Sequence, residues 1–140
     1  MLDFSSLHKA ISSLAESIEV TANFLAEGGK QDSPQYRTFR SGVIQNFEFT
    51  YELAWKAMRT WLAENHGKSL VDGITRKELF RLAAENQLIE EVEPWFEFHY
   101  FRNLTSRTYE EKTAIAVFQC TALFLLLVKK LSSILDSKND

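Results

Sequence analysis

Between Phe39 and Leu62 the chain reads FRSGVIQNFEFTYELAWKAMRTWL, and its apolar positions recur at helical spacing. Ile44, Phe47, Tyr51, Ala54, Met58 and Trp61 fall three and four residues apart, the spacing of one face of an α-helix. Val43, Trp55 and Leu62 widen that stripe, and Phe49, Leu53 and Ala57 add a flank. Only Gln45, Glu48, Glu52, Lys56 and Arg59 form a consistently polar strip. A helix apolar over more than half its circumference needs neighbours on several sides. The pattern therefore predicts the central helix of a bundle.

The rest of the chain supplies those neighbours. Phe4, Leu7, Ile11, Leu14, Ile18, Ala22 and Leu25 mark a narrow seam on a first helix over about 4–26, with Ser5, Ser12, Ser13, Glu16 and Glu19 facing water. Gly28 and Gly29 stop it. Ser33-Pro34 reads as an N-cap followed by proline at the first helical position of the central helix, which runs to about Asn65 and closes at Gly67. The loop from Gly67 to Ile74 is expected to be mobile. Thr75 to Glu78 reads as a capping box that opens a third helix ending near Gln87. Glu93-Pro94 starts a short, aromatic fourth helix, WFEFHYFRN. Thr108 and Glu111 suggest a second capping box for a fifth helix, from about Tyr109 to Leu135. Its apolar run, Ala114 to Val128, is shorter than the ~20 residues that span a bilayer. A helix apolar on two sides is expected to meet the core with one and a second subunit with the other.

Composition sharpens this picture. The 140 residues fit a single helical-bundle domain over 1–140, and scarce Gly (5) and Pro (2) favour an all-α fold. A formal charge of −3 excludes a wholly basic nucleic-acid binder, so any phosphate contact must be local. Cys120 is a lone cysteine among apolar neighbours, read as a small core residue. His8 reads as a surface residue. The histidines lack metal-ligand spacing, so no metal and no cofactor is expected. The N-terminal segment lacks the basic and apolar regions of a signal peptide, which predicts a cytoplasmic protein without membrane attachment.

The candidate chemistry sits in Arg102-Asn103-Leu104-Thr105-Ser106-Arg107-Thr108-Tyr109, between the fourth and fifth helices. Two guanidiniums, an amide, three hydroxyls and a phenol beside a helix N-terminus suit a phosphate. The plainer reading pairs Arg102 with a carboxylate of the central helix, Glu48 or Glu52, and leaves Thr108 as a cap. His99, one turn before Arg102, reads either as a partly buried histidine with a hydrogen-bond partner or as a pocket residue.

The segments IQNFEFTYELAWKAM and RNLTSRTYEEKTA resemble the nucleotidyltransferase substrate-binding proteins, in the HepT-like branch of the HEPN superfamily. The resemblance implies an antiparallel four- to five-helix up-and-down bundle that forms homodimers and partners a separate minimal, MntA-like nucleotidyltransferase, in some cases as a toxin-antitoxin pair. Many HEPN proteins are metal-independent ribonucleases whose signature is Arg, a polar residue, a few more residues, then His. Arg102 and Asn103 match its start. Tyr109 matches the tyrosine that the partner modifies with AMP in the HepT-like branch. Arg107 departs from the pattern, because it stands where the family has histidine. Arginine binds phosphate but is a very poor general base. The expected function is thus a non-catalytic nucleotide- or RNA-binding subunit using Arg102, Asn103, Arg107 and Tyr109. The alternative is a ribonuclease toxin in which His99 substitutes as base and Tyr109 is the regulatory site.

Overall fold

The protein is described by a computed structural model covering residues 2–139. Among the described residues the chain forms five α-helices and no strand. These are α1 (Ser5–Ala26), α2 (Pro34–His66), α3 (Arg76–Glu85), α4 (Glu93–Asn103) and α5 (Glu111–Ser137), with 3₁₀ turns at Lys68–Leu70 and Thr105–Arg107.

Local chemistry sets most of the helix ends. The Ser33 hydroxyl accepts from the Tyr36 N–H at 3.1 Å, with Pro34 at the first position of α2. Gly67 ends α2 at φ +96°, where a side chain is disfavoured. Both bonds of the Thr75–Glu78 capping box are present at the start of α3. The second capping box is not formed. Residues 105–107 wind into a 3₁₀ turn, so Thr108 donates back to the Thr105 carbonyl at 3.2 Å. Helix α5 begins at Glu111, later than Tyr109, with Glu110 as an N-cap that makes no side-chain bond. The loop after α2 is also more tightly held than its glycines suggest. Val71 is buried and Asp72 lies 3.6 Å from Arg59.

Pairings across the bundle fix its topology. Asn46 donates to Ser17 Oγ at 3.1 Å and Thr50 to the Ala10 carbonyl at 3.2 Å, so α1 and α2 are antiparallel. His8 pairs with Asp136 at 3.0 Å, which sets α1 antiparallel to α5. Glu52 meets Arg102 and Glu48 meets Thr105, so α4 runs against α2. Arg40 with Glu111, Phe47 with Phe124 and Trp61 with Lys138 show that α2 and α5 run parallel. Helices α1, α2, α4 and α5 thus alternate up and down, with α2 and α5 touching across the diagonal. Helix α3 packs outside, against α2 and α4.

One apolar cluster fills the centre. Phe47, Trp95, Phe98 and Phe124 meet there edge to face, with ring centroids 4.9 to 5.9 Å apart, the arrangement aromatic quadrupoles favour. In α1 the buried position is Thr21 rather than Ala22, because an ideal helix drifts away from a strict seven-residue repeat. Its hydroxyl donates to the Ser17 carbonyl at 2.8 Å, so no polar atom is stranded. Phe49 is 53% exposed and lies outside the core. Helix α5 as a whole is long and apolar enough, by length and composition, to cross a membrane. In the bundle its Val117, Phe124, Val128 and Leu131 face is buried, while Ile115, Leu123 and Leu126 stay exposed. Beyond the core, Leu2 and Asn139 are clasped: the Leu2 N–H donates to Asn139 Oδ1 at 3.0 Å, and Asn139 Nδ2 to the Leu2 carbonyl at 2.7 Å.

Candidate functional site

Two helical stripes face each other where α2 and α4 pack. Glu48, Tyr51, Glu52 and Trp55 lie at helical spacing on α2, and His99, Arg102 and Asn103 on α4. Arg102 Nε donates to Glu52 Oε1 at 2.9 Å, and both side chains are 32% exposed. Glu52 Oε2 also accepts from the Trp55 indole N–H at 3.1 Å. Thr105 donates to Glu48 through a short hydrogen bond. Glu48 and Glu52 are therefore not part of a solvated strip. They anchor the segment that follows α4.

His99 is half-buried and bonded at both ends. The Tyr51 hydroxyl sits 2.8 Å from His99 Nδ1, with the donor set by the imidazole tautomer, and Asn103 Nδ2 lies 3.5 Å from His99 Nε2. Burial lowers the His99 pKa below its ordinary value, and Arg76, Arg102 and Lys77 lower it further against the opposing pull of Glu52. The ring is therefore neutral near pH 7. Burial likewise pushes the Tyr51 phenol up, so it stays protonated.

Arg76 completes the cluster. Its guanidinium lies 3.3 Å over the Trp55 ring, a close cation–π contact, and its buried Nε has no hydrogen-bond partner. At the sequence level Arg76 is only the residue after a helix cap. The signal that could have singled it out is the Trp55 it would have to cover. Tyr51 also hides in plain sight, because its ring belongs to the core stripe while its hydroxyl faces α4.

The expected site residues divide into two groups. His99, Arg102 and Asn103 come together on one face of α4. Arg107 points elsewhere, 59% exposed, with its guanidinium 3.9 Å from Glu110. Tyr109 is 82% exposed, the most open of the large aromatic side chains. Arg102 takes the carboxylate pairing with Glu52 that its charge predicts, so that charge is already partnered. Among the described residues no group of three or more His, Cys, Asp or Glu side chains could hold a metal ion. Cys120 is largely enclosed, and burial pushes its thiol up to about 12, an unreactive state.

The fold defines a small all-helical bundle that carries a polar segment between α4 and α5. Residues 2–137 match the family model described as nucleotidyltransferase substrate binding protein like, and the chain belongs to that family. It is similar to a probable ribonuclease HepT of Haemophilus influenzae, 33% identical over 90 residues covering 64% of this chain. The chain spans less than two thirds of that relative, 62% of its length. Its fold matches a solved Haemophilus influenzae structure described as revealing the fold of a substrate binding domain of a nucleotidyltransferase. The TM-score is 0.87 at 28% identity, over 96% of this chain and 99% of that one. A crystal structure from Thermus thermophilus matches with a TM-score of 0.69 at 30% identity, over 90% of this chain and 98% of that one.

Proposed function

We propose that this chain is the non-catalytic binding subunit of a two-part nucleotidyltransferase. It dimerises, docks a separate minimal, MntA-like nucleotidyltransferase, and offers Arg102, Asn103, Arg107 and Tyr109 to a nucleotide, an RNA end or the partner's active site. The observation that carries this reading is Arg107. Arg107 is an exposed guanidinium at the position where the resemblance to the ribonuclease signature implies a histidine, and such a group keeps phosphate affinity without serving as a base. The exposed Ile115, Leu123 and Leu126 of α5 support dimerisation. The test is binding of AMP, a short RNA and the partner enzyme to the Arg102→Ala/Arg107→Ala variant. Unchanged binding of all three refutes the reading.

One observation favours a second reading, a metal-independent ribonuclease toxin. His99 is neutral, bonded to Tyr51, and one turn from Arg102. In that role it would take the proton of an RNA 2′-hydroxyl as that oxygen attacks the adjacent phosphate and the 5′-oxygen leaves. Tyr109 would be the acceptor of AMP, its phenol oxygen attacking the α-phosphate of ATP and displacing pyrophosphate. RNA cleavage in EDTA separates the two. Cleavage only by Arg107→His supports the binding subunit, whereas cleavage by the unaltered protein that is lost in His99→Gln supports the toxin.

A further inference from the structure

A second polar cleft lies away from the α2–α4 cluster, where the N-terminal halves of α2 and α5 meet. Its volume is about 550 Å³, within the usual range for a small-molecule site, and Tyr36, Arg37, Arg40, Glu111, Phe118 and Gln119 line it. The Arg40 side chain is 8% exposed, an unusual position for a guanidinium, and its Nε has no hydrogen-bond partner. The other end of that guanidinium is gripped by Glu111 through both terminal nitrogens. Glu111 is a different kind of group: its side chain is 56% exposed, on the first turn of a helix, and open to water on its outer side. A buried fork lying over the Tyr36 ring, with its hydrogen bonds going to a single surface carboxylate, resembles a site with a plug. A carboxylate and a phosphate present the same paired oxygens to arginine.

The walls suit the rest of a ligand. Tyr36 and Phe118 pack edge to face with centroids 6.2 Å apart, forming an apolar side against which a flat ring can lie. Gln119 is exposed on the same cleft and can pair with the polar edge of such a ring. Arg37 stands exposed at the rim as a second cation and is bonded only to the Asp32 carbonyl, at 2.9 Å.

We infer that this cleft binds a nucleoside monophosphate, with the phosphate displacing Glu111 from Arg40 and the base lying along Tyr36 and Phe118. Glu111 is then an internal competitor that sets the affinity. The inference does not depend on Arg102 or on the role of Arg107.

The test is calorimetric titration of the full chain with AMP, adenosine and inorganic phosphate. The proteins compared are the unaltered chain, Glu111→Gln, Arg37→Ala, Arg102→Ala and the double variant Glu111→Gln/Arg102→Ala, with helical content checked by circular dichroism. Glu111→Gln should bind AMP about tenfold more tightly, the scale of one charged hydrogen bond no longer opposed, and Arg37→Ala several-fold more weakly. Glu111→Gln should raise AMP affinity by the same factor with or without Arg102→Ala, because the cleft and the α4 segment share no residue, and inorganic phosphate should bind more weakly than AMP. Unchanged affinity in both Glu111→Gln and Arg37→Ala overturns the inference, as does adenosine binding as well as AMP. Loss of AMP binding in Arg102→Ala alone would assign the nucleotide to the α4 segment, sparing the proposed function while refuting this site. No AMP binding to any variant at millimolar concentration refutes it outright.

Discussion

The Arg102–Glu52 pair decides how available the candidate site is, and its strength can be worked from its surroundings. Fully exposed ion pairs contribute about 0.2–1 kcal/mol, and enclosed hydrogen bonds to charged groups about 1.5–3 kcal/mol. Both partners here are 32% exposed, at 2.9 Å, so the pair falls between those limits, at a coupling of about 1–1.5 kcal/mol. The Trp55 indole keeps Glu52 partly satisfied when Arg102 is removed, which argues for the lower half of that range. A double-mutant cycle of Glu52→Gln, Arg102→Ala and the double variant, measured by urea unfolding, isolates the term. With an m-value of about 1.5–2 kcal/mol/M, the coupling corresponds to roughly 0.5–1 M of midpoint displacement. The same cycle has a functional arm. Glu52→Gln releases Arg102, so RNA or nucleotide affinity at the α4 segment should rise and become more salt-dependent. A coupling below about 0.3 kcal/mol, the level at which distant sites already add, would show that Glu52 does not hold Arg102, and the geometric argument for the site would fail.

Burial and backbone geometry supply the other predictions. The His99 imidazole should titrate below its ordinary value of 6.5 in a proton NMR experiment, and a value at or above it refutes the neutral pair with Tyr51. The sign for stability is set by the unfolded chain taking the proton first. The contribution of His99 is fully present above about pH 6.5, and is lost as pH falls through 6.5 toward the folded value. His99→Gln should therefore flatten that part of the stability profile. Gly67→Ala forces a side chain onto φ +96° and ψ 143° with nothing nearby to clash. It should cost about 1–3 kcal/mol in urea unfolding through backbone strain alone, and a neutral result would refute the assigned helix end. Phe47→Ala empties the ring cluster at the centre of the core, with an expected loss of about 3–5 kcal/mol; a loss under about 1 kcal/mol would contradict its burial.

Why some of this was legible in the residues, and some was not, has a physical basis. The stripe from Ile44 to Trp61 and the caps at Ser33 and Thr75 are local signals, and helices obey local rules. Tyr51 and Arg76 carry no local signal, because their roles depend on α2, α3 and α4 meeting. The pairing of Arg102 with a central-helix carboxylate was foreseeable from charge alone. The Arg40–Glu111 contact was not, since it joins residues 71 positions apart across a diagonal of the bundle. The Thr108 cap failed because a 3₁₀ turn offers the same hydroxyl a nearer carbonyl. Phe49 failed because a flank beside a core stripe can face either way, and its neighbours on that side, Gln45 and Lys56, are exposed.

The clasp between Leu2 and Asn139 bears on how the chain can be rewired. The two residues exchange hydrogen bonds at the end of the bundle where α1 starts and α5 finishes. The turns after α1 and α4, with Tyr109 and the Arg40 cleft, lie at the opposite end. A short linker of about four residues would bridge such a gap. The chain could then be reopened in the exposed turn between α1 and α2 as a circular permutant. In that permutant α2 would become the first helix and α1 the last, yet every contact of the α4 segment would be conserved. Fusions attached at the clasped end should likewise leave the Arg102–Tyr109 segment open to solvent, which makes that end the place to tether a reporter or a partner enzyme.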